Sequence, residues 1–397
     1  MSKPVNSLKV LHVIPSIAAC RGGPSQAVIE MVSALRKAGV NAEIATTNDD
    51  GPSKLDVALN SLIDYQGVPV RFFNRLSPPI SALREFGVSV RFTQWLNRHA
   101  ADYDLIHVHA IFSYCSTRAM QIARKRSIPY IVRPIGQLEK WSLQQSKIRK
   151  QQYLNWFEQR NLERADCVHF TAESEQQQAL AVLPKLVNTV IPLGLNVPIQ
   201  VREAKSKIVN RWSLERDAPI ILYLSRLHPK KGLEPLITAL SQIDDLPFQL
   251  IIAGDGEPAY RRTLEALSNK LHMADRCRFI GFVRGTEKTL LLQGADLFVL
   301  TSFSENFGIS ALEAMASGTA VLLSNEVALA AIVKDHALGW VAELDNDDIK
   351  AKLLLALSDV DTTRERGSAA RDYVEQHFQW SHIVQQLIRR YKAITHD

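Results

Sequence analysis

The chain has 397 residues, with 46% hydrophobic and 22% charged positions. That is soluble globular composition, in a chain longer than one hydrophobic core usually serves. The net charge of +6 favours anionic partners such as phosphates, nucleotides or an anionic lipid surface. No RNP pattern, helix-turn-helix signature or Cys/His finger is present, which argues against nucleic acid.

Mean hydropathy is -0.07, and no apolar run approaches the roughly 20 residues of a transmembrane helix. The N-terminal MSKPVNSLKVLHVIPS is too short in its apolar part for a signal peptide and reads as a first strand. Cys20, Cys115, Cys167 and Cys277 are scattered without CxxC spacing. This speaks against a zinc site or a disulfide framework, and a reducing cytoplasm is the expected compartment.

LKVLHVIPS breaks into the glycine-bearing RGGPS, a helical pattern follows through VIEMVSALRKAGV, and NAEIATT returns to strand texture. Further apolar runs, VPVRFF, DLIHVHA, PYIVRP, CVHFTA and NTVIPLG, alternate with helical patterns. This is the reading of an α/β domain with a parallel sheet. At IPLGLNVPIQ two prolines and a glycine mark a linker. A second series then begins: APIILYLSR, PFQLIIAGDG, CRFIGFV, ADLFVLTS, TAVLLS and LGWVAE as strands, with helices between. The expected organisation is two doubly wound α/β domains, 1–195 and 196–375, with a last amphipathic helix in 376–397 that packs on either. Such sheets bind ligands beyond the carboxyl ends of their strands, and two facing domains make a cleft.

SENFGISALEAMASGTAV carries Glu305 in a turn and Glu313 one turn into a helix that ends at Gly318. The free N–H groups of Phe307, Gly308 and Ile309 at that helix start offer an anion site. On physics alone, Glu305 reads equally as a first-turn charge favoured by the helix dipole and Glu313 as a solvated side chain.

The same stretch closely resembles the E-x₇-E block of the retaining glycosyltransferase family 4, whose fold is the two-domain GT-B arrangement. RGGPSQAVIEMVSALRKAGV, LIHVHAIFSY, ERADCVHFTAESE, IPLGLNV, LYLSRLHPKKGLEPLITAL and IIAGDGE are similar to further family segments in the family's order. The resemblance implies an acceptor-binding N-terminal domain and a nucleotide-sugar-binding C-terminal domain. It implies that Arg226 and Lys231 hold the donor diphosphate, Lys231 being preferred over Lys230 because it directly precedes Gly232. The other reading of this segment is a solvated basic loop. Glu305 would contact the donor sugar, and Asn306, Phe307, Gly308 and Ile309 would present backbone donors. Glu313 would accept from the ribose hydroxyls, and Phe282 and Val283 would line the base pocket. Gly22 and Gly23 would let the backbone approach phosphate or acceptor, the alternative being a tight turn without a ligand. His109 would sit at the sugar, and His107 is read as a core histidine on the opposite face of its strand.

One departure stands out. Where many relatives carry Pro-His-Gly, this chain has Arg133-Pro134-Ile135-Gly136. Arg133 then either binds an acceptor phosphate or is structural. No metal or other cofactor is expected, because Arg226, Lys231 and a helix N-terminus can neutralise a diphosphate. Asp345-Asn346-Asp347 reads as N-capping chemistry.

The expected partners are a UDP- or GDP-type nucleotide sugar and a glycan or lipid-linked acceptor in polysaccharide synthesis. The alternatives are a small soluble acceptor or a non-catalytic sugar-nucleotide binder. A dinucleotide oxidoreductase is disfavoured, since RGGPSQ does not match G-x-G-x-x-G. Lys140–Arg164 mixes basic residues with Trp141, Tyr153, Trp156 and Phe157. It reads either as a face for the inner side of an anionic membrane or as a helix packed by its aromatics with a basic solvated side.

Overall fold

The computed structural model describes residues 8–78 and 81–395. The outer domain limits at 1 and 397, and the stretch before Leu8, lie outside the described residues. The chain divides into unit 1, Met1–Gly194 with Trp380–Asp397, and unit 2, Leu195–Gln379. The divisions therefore fall at 194/195 and 379/380, whereas the sequence reading set them at 195/196 and 375/376. The later division has a physical reason. The helix Val360–His377 runs on past 375, and Phe378 C=O then accepts from Leu195 N at 2.7 Å inside unit 2.

Unit 1 is built on β1 (Lys9–Val13), β2 (Asn41–Thr47), β3 (Asp49–Asp50), β4 (Ser53–Lys54), β5 (Leu62–Tyr65), β6 (Val68–Phe73), β7 (Leu105–His109), β8 (Tyr130–Arg133), β9 (Cys167–Phe170) and β10 (Asn188–Val190). Eight of them form one sheet in the order β10-β9-β8-β7-β1-β2-β6-β5, and β3 and β4 make a small hairpin. The central strands are buried on both faces, as β7 and β8 are throughout, which is why they read as continuous apolar runs.

Only β5 runs antiparallel in the large sheet, and the sequence reading missed it. Its signal was the two-residue turn Gln66-Gly67, where both residues have positive φ, 54° and 80°, as a type I′ hairpin requires. The helix Gly23–Lys37 starts with Pro24 in its first turn and buries Ala27, Val28, Met31, Val32 and Leu35. The last helix, Trp380–Thr395, packs against it. Trp380 Nε1 donates to Glu30 at 3.1 Å. A Cβ on Gly194 would lie 2.4 Å from the Trp380 ring, so glycine is required there.

Unit 2 contains β11 (Ile220–Leu224), β12 (Gln249–Ala253), β13 (Cys277–Gly281), β14 (Leu297–Leu300), β15 (Ala320–Ser324) and β16 (Gly339–Ala342). The order is β13-β12-β11-β14-β15-β16 with every pairing parallel. This is the doubly wound order in which the connections reverse between the first and fourth strands, here β11 and β14. In open sheets of this kind ligands bind just beyond that switch point.

Candidate active site

The switch point of unit 2 brings together the loops after β11 and β14. The first loop carries Arg226 and Lys231, and the second carries Glu305. Lys231 Nζ and the Glu305 carboxylate form an ion pair, their side chains 14% and 17% exposed. Gly232, at φ 65°, turns the chain into the helix Leu233–Leu240. A Cβ there would stand 1.8 Å from Thr301 C=O, and Thr301 Oγ1 donates to Gly232 C=O at 2.6 Å. The absent side chain is what lets the two loops meet.

The Gly-Asp-Gly turn supports the same loop from the other side. Cβ atoms on Gly254 and Gly256 would lie 1.9 Å from Ser225 C=O and 2.0 Å from Leu227 C=O. Arg226 is thus held between two backbone contacts. His228 lies below its usual pKa, first through partial burial and then through the cations Arg226, Lys231 and Lys230 around it. The loop is a concentrated positive field.

Glu305 is not a first-turn helix charge. It lies in an extended segment bridged to Val327, with Glu305 N donating to Glu326 C=O at 3.0 Å. The helix begins only at Ile309, with Gly308 at φ 85° as its N-cap. The unpaired first-turn donors therefore shift by two residues from those expected, to Ile309, Ser310 and Ala311, since Leu312 N already bonds Gly308 C=O. The reason is the left-handed Gly308, which turns the chain before the helix starts. Phe307 is buried.

Glu313 is not solvated either. It accepts from Lys288 Nζ at 2.6 Å, a partner on the helix Gly285–Gly294 that the sequence reading missed. Of the two residues expected at the base pocket, Phe282 is 55% exposed and Val283 is buried. Asp345 caps the helix Asn346–Ser358 by accepting from Asp347 N and Asp348 N.

In unit 1 the reversal falls between β1 and β7. A cleft of about 340 Å³ lies beyond it, lined among others by Ser16, Arg21, Asp49, Phe112, Ile135 and Gln137. Arg21 pairs with Asp49 at 2.7 Å. Gly22 has φ 77°, and a Cβ on it would meet nothing within 4 Å. Its need for glycine is conformational, with open space beside it. With Gly23 it opens the helix Gly23–Lys37.

Three non-glycine residues with left-handed backbone, Ala110 (φ 67°), Phe112 (φ 55°) and Ile135 (φ 57°), line this one cleft. Such geometry costs of order 1–3 kcal/mol per residue and gathers at functional sites. Ile135 occupies the place where the resemblance led one to look for a histidine, and a β-branched residue is the least suited to that backbone.

His107 is the core histidine expected, but it does not lie on the opposite face from His109. Residues two apart on a strand share a face, and the rings of His107 and His109 lie 4.3 Å apart. Both are fully buried, with His12 and His169 beside them. His12 Nδ1 faces His109 Nε2 at 2.9 Å, and His107 Nδ1 meets Tyr391 Oη at 2.7 Å. Burial first, then neighbouring histidines and Arg133, holds the His107 and His109 pKa values well below normal. His12 is pushed down to about 3, by burial, then Arg133 and His169. Burial foremost takes His169 down to about 3 as well.

The ligating atoms of His12, His107 and His109 lie within 4.8 Å of one another, the spacing of a metal group among the described residues. The adjacent Arg133 charge opposes a cation there. Arg133 itself is 1% exposed, and none of its guanidinium nitrogens has a partner among the described residues. It lies off the cleft wall, contrary to an acceptor contact in this structure, because its side chain shares the histidine face of the sheet.

Two family models match these two units. "Glycosyl transferase 4-like domain" covers residues 22–194, and "Glycosyl transferases group 1" covers 204–373. The chain belongs to the family 4-type glycosyltransferases.

Among curated glycosyltransferase relatives, it is 34% identical to an uncharacterized glycosyltransferase of Methanocaldococcus jannaschii over 48% of this chain and 49% of that protein. It is 30% identical to phosphatidyl-myo-inositol mannosyltransferase of Mycobacterium tuberculosis, over 45% of this chain and 48% of that one. The chain thus spans about half the length of these curated relatives. Of solved structures, sucrose-phosphate synthase from Thermosynechococcus elongatus matches with TM-score 0.77 and 23% identity, over 97% of this chain and 98% of that one. Anabaena HepE in complex with UDP-glucose matches with TM-score 0.75 and 20% identity, over 97% and 100%. These likenesses place the glycosyltransferase fold as GT-B, with two Rossmann-like α/β units.

Proposed function

We propose that the protein transfers a hexose from a nucleotide-diphosphate sugar to a glycan or lipid-linked glycan acceptor, with retention of anomeric configuration. The observation that carries this reading is the Lys231–Glu305 pair at the switch point of unit 2, just ahead of the helix Ile309–Ala316. Arg226 and Lys231 take the diphosphate, and the first-turn N–H groups of that helix add further donors. When phosphate arrives, Lys231 exchanges part of its contact with Glu305 for the leaving group. Negative charge grows there as the sugar–phosphate bond breaks, so a preorganised cation stabilises the transition state more than the ground state.

Glu305 meets the sugar, and Glu313 accepts from the ribose diol. The leaving phosphate takes the acceptor proton, so no separate enzymatic base is required. UDP-glucose is the first donor to try, since the Anabaena neighbour is described in complex with it. No divalent cation is needed, because fixed positive groups already face the diphosphate.

The acceptor belongs to the strained cleft of unit 1, where Gly22 exposes backbone and Arg21 brings a paired cation. His109 is left out of this reading, because its ring is fully buried. The name of the mycobacterial relative supports a lipid acceptor. No helix of the described residues is long and apolar enough to cross a membrane. Contact with an inner membrane face would fall to the Lys140–Arg164 segment, where Ile148 and Trp156 are 74% and 70% exposed. Tyr153 in the same segment is packed, its hydroxyl 2.8 Å from Thr117 Oγ1.

A thermal-shift screen with UDP-, GDP- and ADP-sugars tests the donor assignment. One class should raise the melting temperature by mass action, and its sugar should then appear in product with the donor's anomeric configuration by NMR. No shift with any of the three overturns the assignment.

A further inference from the structure

A second cleft, of about 650 Å³, opens on the helical flank of unit 1; it shares no residue with the unit 2 loops or the first cleft, and takes Arg160 and Arg164 from the end of the Lys140–Arg164 segment. It is bounded by the helices Tyr114–Lys125 and Gln159–Glu163, which pack together. Arg118, Arg124 and Lys125 come from the first helix, and Arg160 and Arg164 from the second and its C-cap. Arg118, Gln121 or Ile122, and Lys125 fall at i, i+3 or i+4, and i+7, so they share one helix face. Arg160 and Arg164 share another at i, i+4.

Five cations thus converge on one cavity whose other lining residues, Asn97, Gln121 and Ile122, are neutral. No ion pair joins a carboxylate to any of the five among the described residues. The ordinary explanation for such residues is the negative end of a helix dipole. It covers Arg124 and Lys125 in the last turn of one helix and Arg160 in the other. It does not cover Arg118, which sits mid-helix.

Nor does it account for the hydrogen bonds left unmade. Arg118 gives one bond, Nη1 to Gln121 at 2.9 Å. Its Nε, and Nη1 of Arg124, are buried without a partner among the described residues. A buried N–H without an acceptor is unfavourable unless something fills its place, and repulsion between like charges at i, i+4 adds to the cost. A ligand with several anionic oxygens removes both.

We propose that this cleft binds a multiply charged phosphate group. Guanidinium forks match phosphate oxygens two at a time. Half-buried Arg118 and Arg124 form the floor, and exposed Lys125, Arg160 and Arg164 the rim. The neutral amides of Asn97 and Gln121 supply further polar contacts. Ile122 is the single apolar lining residue, so recognition rests on phosphate. The phosphate belongs either to a soluble polyphosphate-type ligand or to a phospholipid headgroup, and the probes below separate the two. The proposal does not depend on the glycosyl-transfer reading of unit 2.

Inorganic tripolyphosphate binding is measured by calorimetry at low and high salt, and sedimentation is measured with phosphatidylglycerol and with phosphatidylcholine vesicles. The wild type should bind tripolyphosphate or the anionic vesicles, more weakly at high salt. The triple variant Lys125→Gln/Arg160→Gln/Arg164→Gln, all at exposed positions, should lose at least about tenfold in affinity. Lys270→Gln, which removes an exposed unit 2 cation outside every site described, should stay within roughly twofold. Binding of tripolyphosphate alone assigns a soluble ligand, and binding of anionic vesicles alone a headgroup. The single variant Arg164→Gln, read the same way, covers the case in which the triple variant melts early. The proposal fails if the wild type binds neither probe or the variants bind as the wild type does. It also fails if Lys270→Gln, and not the triple variant, loses the binding.

Discussion

Two sheets of one architecture carry opposite chemistry at their switch points. In unit 2 the polar groups stand on loops beyond β11 and β14, where Lys231 and Glu305 pair while partly open to solvent. In unit 1, besides the cleft beyond the strand ends, a further set of polar groups stands inside β1 and β7, where His12, His107 and His109 are fully buried. The first arrangement can exchange partners, because a ligand replaces one contact with another at little desolvation cost. The second cannot, because protonating a buried histidine beside Arg133 costs both solvation and repulsion. A charge on a loop is therefore available for binding, and a neutral cluster within the strands holds the sheet and the last helix together through the contact of His107 with Tyr391.

The largest effects should come from the open pair. Glu305→Gln and Lys231→Ala are each expected to lower kcat by roughly 10²–10³ with the protein still folded. Because the two residues touch, the double variant should fall well short of the product of the single losses. Steady-state kinetics with circular dichroism as a folding check decides it, and wild-type rates in both variants would leave only a structural ion pair.

Glu313→Gln should act more gently. The ribose does not change during transfer, so the donor KM should rise roughly tenfold while kcat moves less. A fall in kcat with unchanged KM would place Glu313 at the reacting centre instead.

The buried cluster should answer to pH. The folded His12 and His169 pKa values near 3 lie below the unfolded value of 6.5. The unfolded chain thus binds more protons below that value. Stability is fully present above about pH 6.5 and is lost progressively as pH falls toward 3. Melting temperature should drop by several degrees between pH 7.5 and 4.5, and the drop should shrink in His12→Gln. An equal drop in that variant would locate the acid sensitivity elsewhere.

Arg133→Met should lower the melting temperature by a few degrees, because the buried Glu175 carboxylate loses the positive charge that interacts with it. An unchanged melting temperature would show that the hydrogen bonds of Glu175 to Thr171 and Gly136 hold it without Arg133. The smallest expected effect is that of EDTA on transfer, which should be near zero. Activity lost to the chelator and restored by Mg²⁺ or Mn²⁺ would defeat the metal-free reading.

Much of this was legible along the chain. Apolar runs of strand length separated by helical periodicity predict two α/β units. Glycines mark the places where backbones nearly touch, as Gly232 does against Thr301. The E-x₇-E block and the Arg–Lys segment single out the unit 2 loops. Edge strand β5 was missed because its two-residue turn, Gln66-Gly67, is a weak signal beside the usual Asn-Gly. The shared face of His107 and His109 follows from strand geometry alone, since alternation has a period of two.

By itself the sequence determined most of the segments that become strands and helices, since these depend on neighbours within a few positions. Only the tertiary structure decided the partners. Lys231 meets Glu305 across 74 positions and Lys288 meets Glu313 across 25, because strand order brings their loops together. His12 joins His109 because β1 and β7 are neighbours. Strand order is settled by how whole faces bury against one another, and no local pattern carries that information.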